Sequence, residues 1–171
     1  SVIMSKSTLR NVSMRLYAQH MIYGDTIADN NYIQANNYKA LLRITPREVL
    51  DLIDKTSEEK TIENLNAYEK SSPKNFVYGL FNWYHRHYSY SALSKIEVKR
   101  ILDSDMLQIQ YKSDDPGVAY NTLVLLNAEF VKQYELLRFG QTNNVIEYFR
   151  NELAILTKKL RDSEDSLTRY N

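Results

Sequence analysis

The fold is decided by residues 115–171, which read DPGVAYNTLVLLNAEFVKQYELLRFGQTNNVIEYFRNELAILTKKLRDSEDSLTRYN. Asp115 can accept hydrogen bonds from the free backbone N–H groups of a first helical turn. Pro116 suits the first helical position, because its missing N–H would have no partner there. Apolar residues then recur at helical spacing to the end of the sequence. The stretch predicts one very long helix that begins at Asp115 and Pro116.

The predicted helix carries two apolar seams with three- and four-residue spacing. The first seam comprises Leu123, Leu126, Phe130, Gln133 and Leu137. The second seam comprises Ile146, Phe149, Leu153, Leu156, Leu160, Ser163 and Leu167. Between them the phase slips in the segment 139–144, which contains Gly140 and several polar residues. We therefore expect a bend or stutter near Gly140.

The length of this helix limits how it can be accommodated. At 1.5 Å per residue it would span roughly 85 Å, whereas a compact domain of this chain length has a diameter of roughly 40 Å. Either the helix folds back near Gly140 as a hairpin, or its second half projects and a partner covers the second seam. In both cases we expect Ile146, Phe149, Leu153, Leu156 and Leu160 to make the helix contacts. Since no glycine or proline stop follows the second seam, we also expect the sequence to be a fragment.

The residues before the helix contain strand signals. Residues 9–18 alternate between apolar and polar side chains, which predicts an early half-buried strand. The β-prone runs 95–101 and 106–112 flank a turn at 102–105 and predict a hairpin that leads into the long helix, although one helix over 91–102 competes for the first run. The predicted fold is α+β, with a small antiparallel or mixed sheet of one early strand plus the hairpin, packed by several short helices.

Short helices are predicted from three start signals. Thr45-Pro46-Arg47-Glu48 reads as a capping box with proline at the first helical position. Thr56 with Glu59 reads as a second box that opens a helix through Tyr68. Ser72-Pro73 opens a third helix, which reaches to about His87. The Asn-rich residues 29–37 are read as a loop or as the polar first turns of another helix.

Composition favours one globular domain and gives little indication of a partner. The 171 residues include 22 Lys and Arg against 21 Asp and Glu, so a net charge of +1 offers no electrostatic case for nucleic acid. The absence of cysteine excludes disulfides and thiolate metal sites. No run approaches the roughly 20 apolar residues needed to span a bilayer, and no signal peptide is visible. Within one domain fragment, we expect an α/β base over 1–139 and an extended helical part over 140–171.

Signals of chemistry are weak. No glycine-rich phosphate loop, paired carboxylates or activated nucleophile is recognisable, and Asp115 is better explained as a helix cap than as an acid or base. His85 and His87 would point to different sides of a helix, and His20 stands alone, so we predict no metal site. No catalytic residue and no cofactor site is predicted, and the chain is not expected to be an enzyme.

The third short helix is crowded with aromatic residues, which allow two interpretations. They are Phe76, Tyr78, Phe81, Trp83 and Tyr84, with Tyr88 and Tyr90 just beyond. Aromatic side chains at helical spacing usually fill a core, and this is the favoured interpretation. A saccharide-binding surface is the alternative, and it requires Trp83 and Tyr84 to be substantially exposed.

The hairpin and helix start carry a family resemblance. Residues 103–119, DSDMLQIQYKSDDPGVA, followed by residues 123–134 and the long amphipathic helix, resemble the periplasmic domain of Wzz-like polysaccharide chain-length determinants, the polysaccharide co-polymerases. The shared pattern is a strand, then an Asp-Pro helix start, then a long helix. The resemblance covers residues 96–171 well, residues 9–18 and 47–53 moderately, and residues 56–90 poorly.

The resemblance implies a non-enzymatic protein of the inner membrane with a large periplasmic domain. Such proteins assemble as ring-like homo-oligomers between two transmembrane helices, neither of which lies in this sequence. They set the length of, or help export, O-antigen, capsule or exopolysaccharide, working with the polymerase or export machinery of the inner membrane and with the growing polysaccharide. A coiled-coil tether or adaptor unrelated to polysaccharide is the alternative, because it also predicts a long helix with an apolar seam.

Overall fold

The computed structural model describes residues 4–170, and the fold in that range is mostly helical. The helices are α1 (Lys6–Tyr23), α2 (Ala35–Ile44), α3 (Arg47–Leu50), α4 (Glu58–Ser71), α5 (Phe76–Asn82), α6 (Tyr90–Leu93) and α7 (Pro116–Tyr170). The strands are β1 (Glu97–Arg100) and β2 (Leu107–Gln110). The chain divides into two compact units, one reaching to Phe130 and the other beginning at Val131.

The predicted early strand is wrong, because residues 9–18 lie within α1. Ser5 caps this helix by accepting a hydrogen bond from the Thr8 backbone N–H at 3.1 Å. Ser13 and Tyr17, which occupy the polar positions of that alternation, are buried together with the apolar residues. A helix that is buried on nearly every side shows no 3.6-residue pattern, and its composition can then mimic the alternation of a strand.

The predicted hairpin is confirmed, and it is the whole sheet of the described residues. Strands β1 and β2 pair antiparallel, with Val98 opposite Ile109 and Arg100 opposite Leu107. Asp103 in the connecting turn has a φ of 61°, a conformation that Asp and Asn adopt more readily than most residues. The competing helix over 91–102 reduces to the single turn of α6, which ends before β1 begins.

The short helices begin close to their predicted starts but use different caps. Ser57, one residue after the predicted Thr56, accepts a hydrogen bond from the Lys60 N–H and starts α4. The predicted box at Thr45 is wrong, because its hydroxyl donates to the Leu41 carbonyl and no side chain caps α3. The third helix, α5, is capped by Asn75, begins at Phe76 rather than at Pro73 and ends at Asn82, well before His87.

Helix α1 is the centre of the core in the first unit. Its buried residues include Leu9, Leu16 and Met21, and it packs against α4 and α6. Ion pairs from Arg10 to Glu69 at 2.8 Å and from Arg15 to Glu59 at 2.8 Å join α1 to α4 at the surface. The core is therefore built around a helix where the sequence pattern predicted a strand.

The predicted long helix is confirmed, and α7 begins at Pro116. In the first unit its buried residues Val118, Leu125 and Leu126 join the core. Gly117 is required by close packing, since a Cβ there would lie 2.7 Å from the Asn31 carbonyl oxygen. Of the two alternatives for the long helix, the helical hairpin that folds back near Gly140 does not form, because the helix runs through that residue and Thr142 still bonds to the Arg138 carbonyl at 3.0 Å.

Candidate functional site

Residues 83–89 lie between α5 and α6 and distribute aromatic and histidine side chains between the surface and the core. The Trp83 N–H donates to the Gly79 carbonyl at 2.9 Å and ends α5. Trp83 is 53% exposed and Tyr84 is 78% exposed, whereas His87 and Tyr88 are buried. The predicted aromatic helix therefore separates into a core part, which includes Phe81 and Tyr88, and an exposed pair at the end of α5.

Tyr88 is fully buried and organises the polar centre of the core. Its hydroxyl is joined to His20 Nδ1 by a hydrogen bond of 2.5 Å. Its backbone carbonyl accepts a hydrogen bond from Ser13 Oγ at 2.6 Å, and Tyr17 packs edge-on against its ring at 5.5 Å. The prediction that His20 stands alone is wrong, because Tyr88 connects it to the segment that carries the other two histidines.

His85 and His87 also lie together around Tyr88. Their ring centroids are 5.7 Å apart, and the His85 ring is 4.6 Å from that of Tyr88. The expectation that they point to different sides of a helix is wrong, because the segment is not helical. Within residues 4–170 no group of three or more potential metal-ligating side chains is close enough to hold an ion.

Burial keeps these histidines neutral at neutral pH. It lowers the pKa of His20 to about 3, with His87 adding to the effect and Asp115 opposing it. Burial likewise lowers the pKa of both His85 and His87 to about 4. His87 is only 4% exposed, and neither of its ring nitrogens has a hydrogen-bond partner. A neutral imidazole contains one donor and one acceptor nitrogen, so His87 offers both without using either.

Asp115 joins the start of α7 to α2. Its Oδ1 accepts a hydrogen bond from the Val118 N–H at 3.4 Å, and its Oδ2 accepts from the Gln34 N–H at 2.9 Å and from Asn37 Nδ2 at 2.8 Å. Burial acts to raise the pKa of Asp115, but these hydrogen bonds outweigh it, and the pKa is lowered. The carboxylate is therefore a structural junction as well as a helix cap.

A groove of about 270 Å³ opens beside this centre, and we call it the basic groove. Its lining residues are Tyr84, Arg86, His87, Ala92, Lys95, Tyr111, Lys112, Ser113 and Asp114. Arg86 forms an ion pair with Asp114 at 3.0 Å and also bonds to Asn37. Burial raises the pKa of Tyr111, and the neighbouring Tyr84 phenol adds to the shift. The groove thus combines cations, a buried histidine and two phenol rings.

A second cleft of about 530 Å³ lies at the start of α7, between Asp29 and Asn121. Its polar side chains already serve the fold. Asp29 accepts a hydrogen bond from the Ala35 N–H, Asn30 from the N–H groups of Tyr32 and Ile33, and Asn121 donates to the Asn31 carbonyl. This cleft therefore has fewer uncommitted groups than the basic groove.

The predicted contact residues of the second seam lie on α7 within the unit that begins at Val131. They are Ile146, Phe149, Leu153, Leu156 and Leu160, and all five are exposed. Their spacing brings them onto one face of the helix. That they contact another helix remains a prediction.

No signal in the sequence indicated the basic groove. Arg86, Lys95 and Lys112 come from three separate segments, and none belongs to a basic run. Only the exposed Trp83 and Tyr84 could have pointed there, through the saccharide alternative.

Comparison with known protein families, curated proteins and solved structures finds no match to this chain. In the range 4–170, none of the helices combines the length and the hydropathy that crossing a membrane requires.

Proposed function

We propose that this chain is the periplasmic part of a membrane-anchored homo-oligomer that regulates the chain length or export of a cell-surface polysaccharide, such as O-antigen, capsule or exopolysaccharide. It would act without bond chemistry, together with the polymerase or export machinery of the inner membrane. The observation that carries the proposal is α7, a helix of 55 residues with an exposed apolar face.

The arrangement of elements supports the proposal. Strand β2 ends at Gln110, and the Asp115-Pro116 helix start follows after a short connection. The order of strand, Asp-Pro start and long helix is the pattern on which the resemblance to Wzz-like co-polymerases rests. A homo-oligomer also gives the second seam an occupant, since an exposed row of large apolar residues is typical of a protein contact surface.

Two alternatives make different predictions. A coiled-coil tether or adaptor would use the same seam, but deleting its gene would leave surface polysaccharide unchanged. A saccharide-binding module requires exposed aromatic rings, and the exposure of Trp83 and Tyr84 meets that requirement. Saccharide binding is also compatible with the proposed function, because a length regulator can contact the polymer.

The test is the length distribution of surface polysaccharide on gels, in cells that lack the full gene and in cells with it restored. We expect the distribution to shift on deletion and to return with the wild-type gene. Leu153→Asp, which introduces a charge into the second seam, should fail to restore it at normal protein level. Asn151→Asp adds the same charge on the opposite face of the helix and should restore it. An unchanged distribution after deletion would favour the tether or adaptor.

A further inference from the structure

We propose that the basic groove binds the anionic group of an acidic sugar unit, with the sugar ring lying against Tyr84. The saccharide part of this inference rests on the proposed function, whereas the anionic part rests on the side chains of the groove. At about 270 Å³ the groove is slightly smaller than the roughly 300 Å³ at which ligand sites usually begin, and it suits one monosaccharide unit of a longer polymer.

The balance of charge in the groove favours an anion. Arg86 and Asp114 neutralise each other through their ion pair. Lys95 and Lys112 form no ion pair within the described part of the chain. Glu97 of β1 lines an adjacent cleft together with both lysines, but its ion pair is with Lys99 at 3.7 Å. Two ammonium groups therefore remain without an ion pair in a concave site, where an anion gains more than on an open surface.

His87 provides the second and independent indication of a ligand. It lines the groove while it is buried, and both ring nitrogens lack partners. A buried polar group without a hydrogen bond is costly, so such groups are rare unless water or a ligand satisfies them. A carboxylate oxygen could accept from the imidazole N–H, and a sugar hydroxyl could donate to the other nitrogen. His87 also lines a mainly apolar cleft of about 250 Å³ beside α2, which contains Arg86 but neither lysine.

Tyr84 and Trp83 favour a sugar over a simple anion. Tyr84 is 78% exposed at the edge of the groove, and Trp83 is its neighbour. Because one face of a pyranose ring is largely C–H, it packs well on an aromatic ring, while its equatorial substituents reach polar partners. A uronic acid places its carboxylate on the same ring that stacks, so one unit can contact Tyr84 and the two lysines together.

The first test measures binding of tetragalacturonate to the purified chain by titration calorimetry, with maltotetraose as the neutral match. We expect tetragalacturonate to bind and maltotetraose to bind at least about tenfold more weakly. The double variant Lys95→Gln and Lys112→Gln should weaken tetragalacturonate binding about tenfold. The control double variant Lys55→Gln and Lys70→Gln changes the net charge equally, outside the groove, and should bind as the wild type does. Equal binding by the two double variants would overturn the proposal.

The second test separates a sugar site from a general anion site. Tyr84→Ala should weaken tetragalacturonate binding and leave the binding of inorganic phosphate unchanged. If Tyr84→Ala changes neither, the sugar part of the proposal is wrong. These measurements use the purified chain and test only whether the groove binds the sugar. The gene deletion tests the proposed function separately, so either proposal can fail without the other.

Discussion

The two units of the chain differ in where their large apolar side chains lie, although α7 contributes to both. Up to Phe130 these residues are mostly buried, and Leu126 of α7 is fully enclosed. From Val131 onward they are exposed, and Leu153 on the same helix is 66% exposed. Buried apolar area is the main source of folding free energy. The apolar residues of the first unit thus stabilise its own fold. Those of the second unit contribute in this way only if another surface covers them.

The polar groups follow the same division. The first unit encloses His20, His87, Tyr88 and Asp115, and it holds most of them in hydrogen bonds. Such groups make the stability of that unit sensitive to pH and to the substitution of a single hydrogen-bonding side chain. We therefore expect large effects of substitution and of pH in the first unit and small effects on folding in the second.

The largest expected effect is a loss of stability on mild acidification. His20 and His87 are neutral in the fold, with pKa values of about 3 and about 4, compared with 6.5 ordinarily. Below pH 6.5 the unfolded chain takes up protons that the folded chain does not, so stability present at pH 7 is lost progressively toward pH 4. At pH 5 we expect a loss of about 2 kcal/mol for each histidine.

Urea denaturation at pH 7 and pH 5 measures this loss. His87→Leu removes one of the three histidines whose pKa is lowered, so it should remove about 2 kcal/mol of the loss at pH 5 and leave the contributions of His20 and His85. A free energy of unfolding that stays constant between pH 7 and pH 5 would contradict the assignment of neutral buried histidines.

A second prediction compares the same substitution at two places on α7. Leu126→Ala should lower the free energy of unfolding by about 3 kcal/mol, because it leaves a cavity in the core. Leu153→Ala should change it by less than about 0.5 kcal/mol, because the side chain is exposed. Chemical denaturation of both variants checks the difference. Equal losses would mean that the second seam is covered within the isolated chain.

A third prediction concerns adjacent carboxylates at the start of α7. Asp115→Ala should cost about 2 kcal/mol, because it removes the cap, leaves the Gln34 N–H without its acceptor and leaves Asn37 Nδ2 with only a 3.5 Å bond to Gln34. Asp114→Ala removes only an exposed ion pair with Arg86 and should cost less than about 1 kcal/mol. Thermal unfolding compares the pair. Similar melting temperatures would show that the Asp115 hydrogen bonds contribute little.

The sequence predicted those elements whose signals are local. The start of α7 depends on Asp115 and Pro116, and the hairpin depends on two β-prone runs around a turn, so each could be read within a few residues. The strand predicted at residues 9–18 failed because burial on nearly every side of α1 removed the helical period. Tertiary packing, which a single sequence does not display, decided that element.

The candidate site was less accessible to prediction for the same reason. Tyr88 brings His20 close to His85 and His87 across 68 residues of sequence, and the basic groove combines residues from three segments. No spacing rule relates such residues. The exposure of Trp83 and Tyr84 follows from the end of α5 at Asn82, which the predicted helix to His87 missed.

The smallest expected effect on folding is the one that most sharpens the comparison of the two units. Leu153→Asp should change the free energy of unfolding of the first unit by less than about 0.5 kcal/mol, since the residue lies outside that core. If a second copy covers the seam, the same substitution should weaken self-association, because a charge would have to be buried against apolar side chains.

Sedimentation at increasing protein concentration measures this self-association, with Asn151→Asp as the charge-matched control. A mass that rises with concentration for the wild type and the control, but not for Leu153→Asp, would identify the seam as a contact between copies. A wild-type mass that stays monomeric throughout would instead assign the seam to a different partner. The first unit would then still bury its own apolar residues and the second would still need another surface, but that surface would not be a second copy of this chain.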